Sequence, residues 1–150
     1  VNESIAISVA RALETQLAVF VAIGDQPLQA IRYDYFEEDG RSNENMLERI
    51  WLDFQHGSLE ISAEPDDDTV NIVYLAQRSD RASGIDATPA DPWQPLIGKR
   101  FGWGWVIVNQ QGYCDGAMLS FDGIRPGVLL TVVASALKVS AINELGDPLK

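Results

Sequence analysis

Between residues 101 and 108 heavy and light positions alternate. Phe101, Trp103, Trp105 and Ile107 are separated by Gly102, Gly104, Val106 and Val108, the period of two that marks a β-strand. Asn109-Gln110-Gln111-Gly112 follows, with a side-chain acceptor first and a glycine last, as a three-residue hairpin loop closed by a G1 bulge requires. That loop predicts a register in which Asn109 faces Tyr113, Trp105 faces Ala117, Trp103 faces Leu119 and Phe101 faces Phe121. Such cross-strand aromatic and aliphatic pairs add a few tenths to ~1 kcal/mol each, so these residues are expected in the core. The bare Gly102/Gly104 side fits either close approach of another element or a flat ligand platform, and packing is the expected reading.

Elsewhere the pattern predicts one helix and several more strands. Ile5, Val9, Leu13 and Leu17, with Ala6, Ala12 and Phe20, recur at helical spacing, and Asn2 or Ser4 can cap the start. A helix is expected from about Glu3 to about Val19, although Val19 to Ile23 could instead open a strand. After the break at Gly24-Asp25-Gln26-Pro27, Leu28 to Phe36 reads as a strand and Glu37 to Asn45 as an acidic loop. A hairpin turning at His56-Gly57 would pair Phe54 with Leu59, Leu52 with Ile61 and Ile50 with Ala63. Its other face would hold an exposed Trp51 beside Asp53, which would stand opposite Glu60.

Thr69 to Leu75 continues this meander after the turn Glu64-Pro65-Asp66-Asp67-Asp68. Residues 77–92, rich in Ser, Ala, Asp, Gly and Pro, form a long connection, and such loops are often functional. Val128 to Ala134 and Leu137 to Ile142 supply two more strands, broken near Ser135, and Gly146-Asp147-Pro148 ends the structured part. The sum is an α+β fold in a single domain, residues 1–150: an N-terminal helix packed on an antiparallel sheet of about seven strands.

Charge narrows the function. Of 22 acidic and 11 basic residues, giving −11 overall, 13 acids and three arginines fall between Asp25 and Asp68. From Trp93 onward five bases meet four acids. Phosphate binding needs clustered Lys and Arg, so nucleic acid is not an expected partner. The longest fully apolar run, Leu17 to Ile23, is far short of the ~20 residues that span a bilayer, and nothing at the start resembles a secretory signal. A cytoplasmic location follows as an expectation, and the single cysteine, Cys114, excludes an internal disulfide. Nothing in the sequence places the lone histidine, His56, near Cys114, so a Cys-His catalytic pair is not expected.

The three consecutive aspartates lack the alternate spacing and glycine of a calcium loop. No phosphate-binding, nucleophile-elbow, zinc-protease or paired CxxC motif occurs. No metal, cofactor or catalytic residue is expected, and an enzyme is not the preferred reading.

Ile97-Gly98-Lys99, Trp103-x-Trp105 and Asn109-x-x-Gly112-Tyr113-x-Asp115, with Asp67-Asp68-Thr69, resemble elements of a family of small bacterial proteins of unknown function. The resemblance runs from about Leu28 to Ile142, leaves out the N-terminal helix and implies a mostly antiparallel sheet in a small cytosolic protein. The reading taken forward is an acidic interaction protein that binds a basic protein partner, as toxin-neutralising immunity proteins do. Its expected binding residues are Glu37, Glu38 and Asp39 as steering charges, with Trp51, Asp53 and Glu60 at the contact. The alternatives are a small hydrolase or ligand-binding protein using Asp53 and Glu60, and a structural subunit that forms a homodimer through a sheet face.

Overall fold

The computed structural model describes residues 3–77 and 84–143, and within the first helix the side chains of Arg11 and of residues 13–23. The expected stop at Gly146-Asp147-Pro148, the middle of the 77–92 connection, the cap candidate Asn2, and the side chains of Ser4, Ile5, Ala6, Val9 and Ala12 lie outside the described residues.

The helix α1 spans Glu3–Ile23, so the ambiguous Val19–Ile23 stretch is helical. It stops at Gly24, whose φ of 64° suits a residue without a Cβ. The Gln26 side chain closes the end: its Nε2 donates to the Ile23 carbonyl at 2.9 Å and to the Tyr74 hydroxyl at 3.1 Å, while its Oε1 accepts from the His56 amide at 2.7 Å.

The strands are β1 (Leu28–Glu38), β2 (Arg41–Phe54), β3 (Ser58–Glu64), β4 (Thr69–Leu75), the two-residue β5 (Ile85–Asp86), β6 (Phe101–Val108), β7 (Cys114–Phe121), β8 (Val128–Val133) and β9 (Ala136–Ala141). Seven of them follow one another across an antiparallel sheet in the order β4-β3-β2-β9-β8-β7-β6, with β1 paired to β2 and β5 to β1. The long β2 makes this possible. One edge pairs with β1; the other is shared by β3, along Arg49 to Asp53, and β9, at Leu47.

The sheet curls until its ends meet. Pro27 bridges Arg100, Leu28 donates to the Lys99 carbonyl, and the Gly98 and Phe101 amides donate to Leu28 and Gln26. Inside the curl lies one continuous core, with Leu28, Ile31, Ile50, Leu52, Phe54 and Leu119 fully buried. Phe101 sits at its aromatic centre, stacked on Phe20 at 6.0 Å and edge-on to Phe54 at 6.0 Å and Phe121 at 5.9 Å. Contacts of this kind add ~0.5–1.5 kcal/mol beyond area burial.

Three local expectations need correction. First, Glu37 to Asn45 is no loop. Asp39 and Gly40 have φ of 52° and 74°, the two positive values of a type I′ turn, and they join β1 directly to β2 with Glu38 opposite Arg41 and Glu37 opposite Ser42.

Second, the β2–β3 turn is longer than two residues. Four residues, Phe54 at the end of β2 through Gly57, separate the last β2–β3 pair, and a 2.8 Å bond from the Phe54 amide to the Gly57 carbonyl closes the turn. The register therefore slides by two: Asp53 faces Ser58, Trp51 faces Glu60, Leu52 faces Leu59 and Ile50 faces Ile61. A slide of two keeps every side chain on its expected face and changes only the partners.

Third, β6 and β7 keep the expected pairing at both ends but not between. The Asn109 amide bonds to the Tyr113 carbonyl, and Phe101 faces Phe121. Two bulges shift the middle by one residue, so Gly104 faces Leu119, Trp105 faces Met118 and Val106 faces Ala117. α1 is the reason. A Cβ on Gly104 would lie 2.3 Å from the Phe20 ring, so the helix takes the inward position where Trp103 was expected. The buried hydroxyl of Ser120 holds the bulge, accepting from the Trp103 amide and donating to the Gly123 carbonyl, each at 2.7 Å. Trp103 turns outward, 58 % exposed, and the glycine side of the strand is a packing face.

Candidate functional site

The sequence points to two groups of residues, and the fold sets them in different surroundings. Trp51, Asp53 and Glu60 lie on the outer face of β1–β3. Arg32 pairs with Trp51 across one edge of β2, and Glu60 pairs with Trp51 across the other. Asp53, expected to face a like charge, is only 2 % exposed. Its carboxylate takes a two-pronged contact from Arg32, Nε to Oδ2 at 2.8 Å and Nη2 to Oδ1 at 3.0 Å, and a hydroxyl bond from Ser58 at 2.6 Å. Glu60 pairs instead with Arg49 at 3.1 Å. Each carboxylate thus has its own arginine, and the opposed pair on which a carboxylate-based hydrolase would rest is not formed.

Trp51 is also corrected: it is 6 % exposed rather than an exposed anchor. Arg32 lies 4.9 Å from the centre of its ring and Arg49 5.7 Å, distances at which a guanidinium is drawn to the aromatic face. The connection after β4 returns over the same ring. Gly84 passes so close that a Cβ would sit 2.9 Å from the indole, and β5 then pairs with Arg32 and Tyr33. Farther along, buried Trp93 donates its indole N–H to the Tyr33 hydroxyl. Burial pushes the Tyr33 hydroxyl up from its ordinary range, with the Trp93 hydrogen bond opposing the shift.

Glu37, Glu38 and Asp39 lie far along the same two strands. Beyond Leu47, whose partners are Tyr35 and Leu137, the pairing recorded for β2 is with β1 alone, so the distal halves of the two strands form an arm. Glu37, Glu38, Asp39 and Glu44 are all exposed on it, as is Arg41. An open hollow of about 540 Å³ runs along its tip, lined by Glu38, Asp39, Arg41, Ser42, Asn43 and Glu44. The Asn43 side chain organises that tip, donating to Glu38 at 3.4 Å and accepting from the Asn45 amide at 3.1 Å.

The run of aspartates is occupied locally. Asp67 accepts from the amide and hydroxyl of Thr69, while Asp68 accepts from the Ser135 amide at 2.7 Å. Since the Ser135 hydroxyl also donates to the Pro65 carbonyl, these contacts latch the β3–β4 turn to the β8–β9 turn, where Ala134 and Ser135 both have positive φ. Among the described residues no three His, Cys, Asp or Glu side chains gather as a metal site would require. The Cys114 thiol is half-buried near Gln16 and the Gly116 carbonyl, and burial raises its pKa. No described helix is long and apolar enough to cross a membrane.

A surface that the sequence reading placed in the core lies on the other half of the sheet, where Trp103 and Trp105 stack outward at 6.3 Å. The signal that could have found it was the Gly102/Gly104 pair: a side of β6 bare enough to admit another element is the inner side, which leaves Trp103 and Trp105 outside.

Comparison with known families assigns the chain. It belongs to DUF6334, a family of unknown function, whose model matches residues 14–146. The match begins within α1 and so includes the helix end that the hairpin motifs left out. No curated protein and no solved structure matches the chain.

Proposed function

We propose that the chain is an interaction protein that engages a basic protein partner through the acidic arm of β1 and β2. The observation that carries this reading is the placement of charge. Glu37, Glu38, Asp39 and Glu44 are exposed where the two strands have left the rest of the sheet, and Arg41 is the one base among residues 37–44. A projecting hairpin with a net acidic charge focuses its field outward and speeds encounter with an oppositely charged surface.

The outer face behind the arm contributes differently. Trp51, held between Arg32 and Arg49, and Asp53, held by Arg32 and Ser58, fix the root of the arm rather than touch the partner. A fixed root lowers the conformational entropy lost on docking. The likeness to toxin-neutralising immunity proteins rests on charge and size.

The test is comparative capture. Immobilised wild type and a Glu37→Gln/Glu38→Gln/Asp39→Asn variant, in which asparagine still tolerates the left-handed turn position, are exposed to the same lysate at low salt. The reading predicts a stoichiometric protein with a basic surface, released by high salt and retained at least tenfold less by the variant. Equal retention on both columns contradicts it.

A further inference from the structure

The outer face of β6–β9 contrasts with the arm in every respect. Across the four strands, Trp105, Met118, Leu129 and Ser140 form one row. Ile107, Gly116, Thr131 and Lys138 form the next. A Cβ on Gly116 would lie 3.3 Å from both Ile107 and Thr131, which places those three on one side of the sheet. Their neighbours Ala117, Leu119, Val128 and Leu130 are fully buried on the other side.

Trp103, turned out by the Ser120 bulge, extends the first row at its edge. It is 58 % exposed and stacks on Trp105 at 6.3 Å with the ring planes 26° apart. Trp105, Ile107, Met118 and Leu129 are each only part-buried. An outward sheet face is ordinarily polar. Here the two rows and Trp103 carry one charge between them, that of Lys138, in a chain with a net charge of −11. Depletion of charge with enrichment in Trp and Met is the composition of a buried interface centre.

We infer that this face is where a second copy of the chain docks, sheet against sheet about a twofold axis. Charge selects the occupant. A basic partner finds no carboxylate in these rows to pair with. A second copy brings its own acidic excess, but that excess lies between Asp25 and Asp68, whereas the sequence from Trp93 onward is nearly balanced. This face therefore lets two copies meet while their like charges stay off the contact. A hollow of about 420 Å³ touches this face at Trp103 alone; the rest of its lining comes from α1, the Gly24-Asp25 turn and Phe101, Gly102 and Gly104, so the two rows themselves offer no pocket wall. Identical apolar patches meeting about a twofold axis are the commonest way soluble chains pair. The arm is left free in each copy, so a dimer would present two arms.

Sedimentation equilibrium of the full chain from 1 to 100 µM tests this. The inference predicts a species of twice 16.5 kDa, with tryptophan emission that shifts to the red on dilution as Trp103 and Trp105 become wet. Raising NaCl from 0.05 to 0.5 M should tighten the dimer, because screening weakens the repulsion between two acidic chains; docking at the arm responds to salt in the opposite sense, so the two surfaces succeed or fail separately. Trp103→Glu and Thr131→Glu should each weaken self-association at least 100-fold without changing the far-ultraviolet circular dichroism, and if one fails to fold the other decides. A monomer at 100 µM in 0.5 M NaCl overturns the inference and leaves the face to another occupant. So does a dimer that a folded variant leaves intact, which would place the contact elsewhere.

Discussion

The guanidinium of Arg32 holds both carboxylate oxygens of Asp53, with Nε 2.8 Å from Oδ2 and Nη2 3.0 Å from Oδ1. Asp53 is buried, and the Arg32 side chain is 15 % exposed, so the pair ties β1 to β2 in a setting where water screens little. Removing one member of a buried pair costs ~3–5 kcal/mol, whereas replacing both by apolar groups is often close to neutral. Asp53→Ala should lose stability on that scale in urea unfolding, and Arg32→Met/Asp53→Leu should lose clearly less than the two single changes summed. Additive losses would mean the two residues act independently.

Gly104 and Phe20 form the closest seam between helix and sheet. Gly104→Ala drives a methyl into the Phe20 ring, and overpacking of this kind costs ~1–3 kcal/mol. In a Phe20→Leu background the same change should cost less, with a coupling of at least ~0.5 kcal/mol, as for residues in contact. A coupling of zero from equilibrium unfolding would place the helix elsewhere.

Phe101 and Trp103 are neighbours in the same alternating pattern but have opposite fates. Phe101→Ala removes the centre of the aromatic cluster and should cost ~3–5 kcal/mol. Trp103→Ala, measured at a concentration low enough to exclude self-association, should cost under ~1 kcal/mol, the scale of surface changes. The reverse order would restore the uninterrupted β6–β7 register.

That contrast shows which physics a single sequence exposes. Element type, the inner faces of β2–β4 and the Asn109 turn depend on nearby residues, and periodicity and turn chemistry reveal them. The register of β6–β7 depends on Phe20, more than 80 positions away in sequence from Gly104, and no local pattern encodes that contact. Gly104 was visible as an oddity in its strand without saying what approached it. Trp51 follows the same logic. On a polar face it reads as exposed, but Gly84 and two arginines, brought in by the fold, cover it. The Asp39-Gly40 turn was different, because the signal was local and present; the surrounding acids masked a dipeptide that itself favours a two-residue hairpin.

Cys114 gives a pH-dependent test. Burial raises its thiol pKa in the folded chain, so between the ordinary and raised values the folded state holds a proton that the unfolded state has released. The stabilisation is complete below the ordinary thiol range and is lost as pH climbs through the raised value. Alkylation by iodoacetamide at pH 7.5 should be slower than for free cysteine, since the thiolate is the nucleophile and burial disfavours it. It should accelerate only toward alkaline pH. Reaction as fast as free cysteine at pH 7.5 would reveal an accessible, activated thiol instead.

The salt dependence of association with the captured basic partner bears most directly on the arm. Stopped-flow measurements from 0.02 to 0.5 M NaCl should show the association rate falling steeply past about 0.1 M, where the screening length shortens to ~10 Å. The dissociation rate should change far less. Neutralising Glu37, Glu38 and Asp39 should slow wild-type association at low salt and flatten its salt dependence. An association rate indifferent both to salt and to those three substitutions would contradict the account, because a partner that binds in that way does not use the arm.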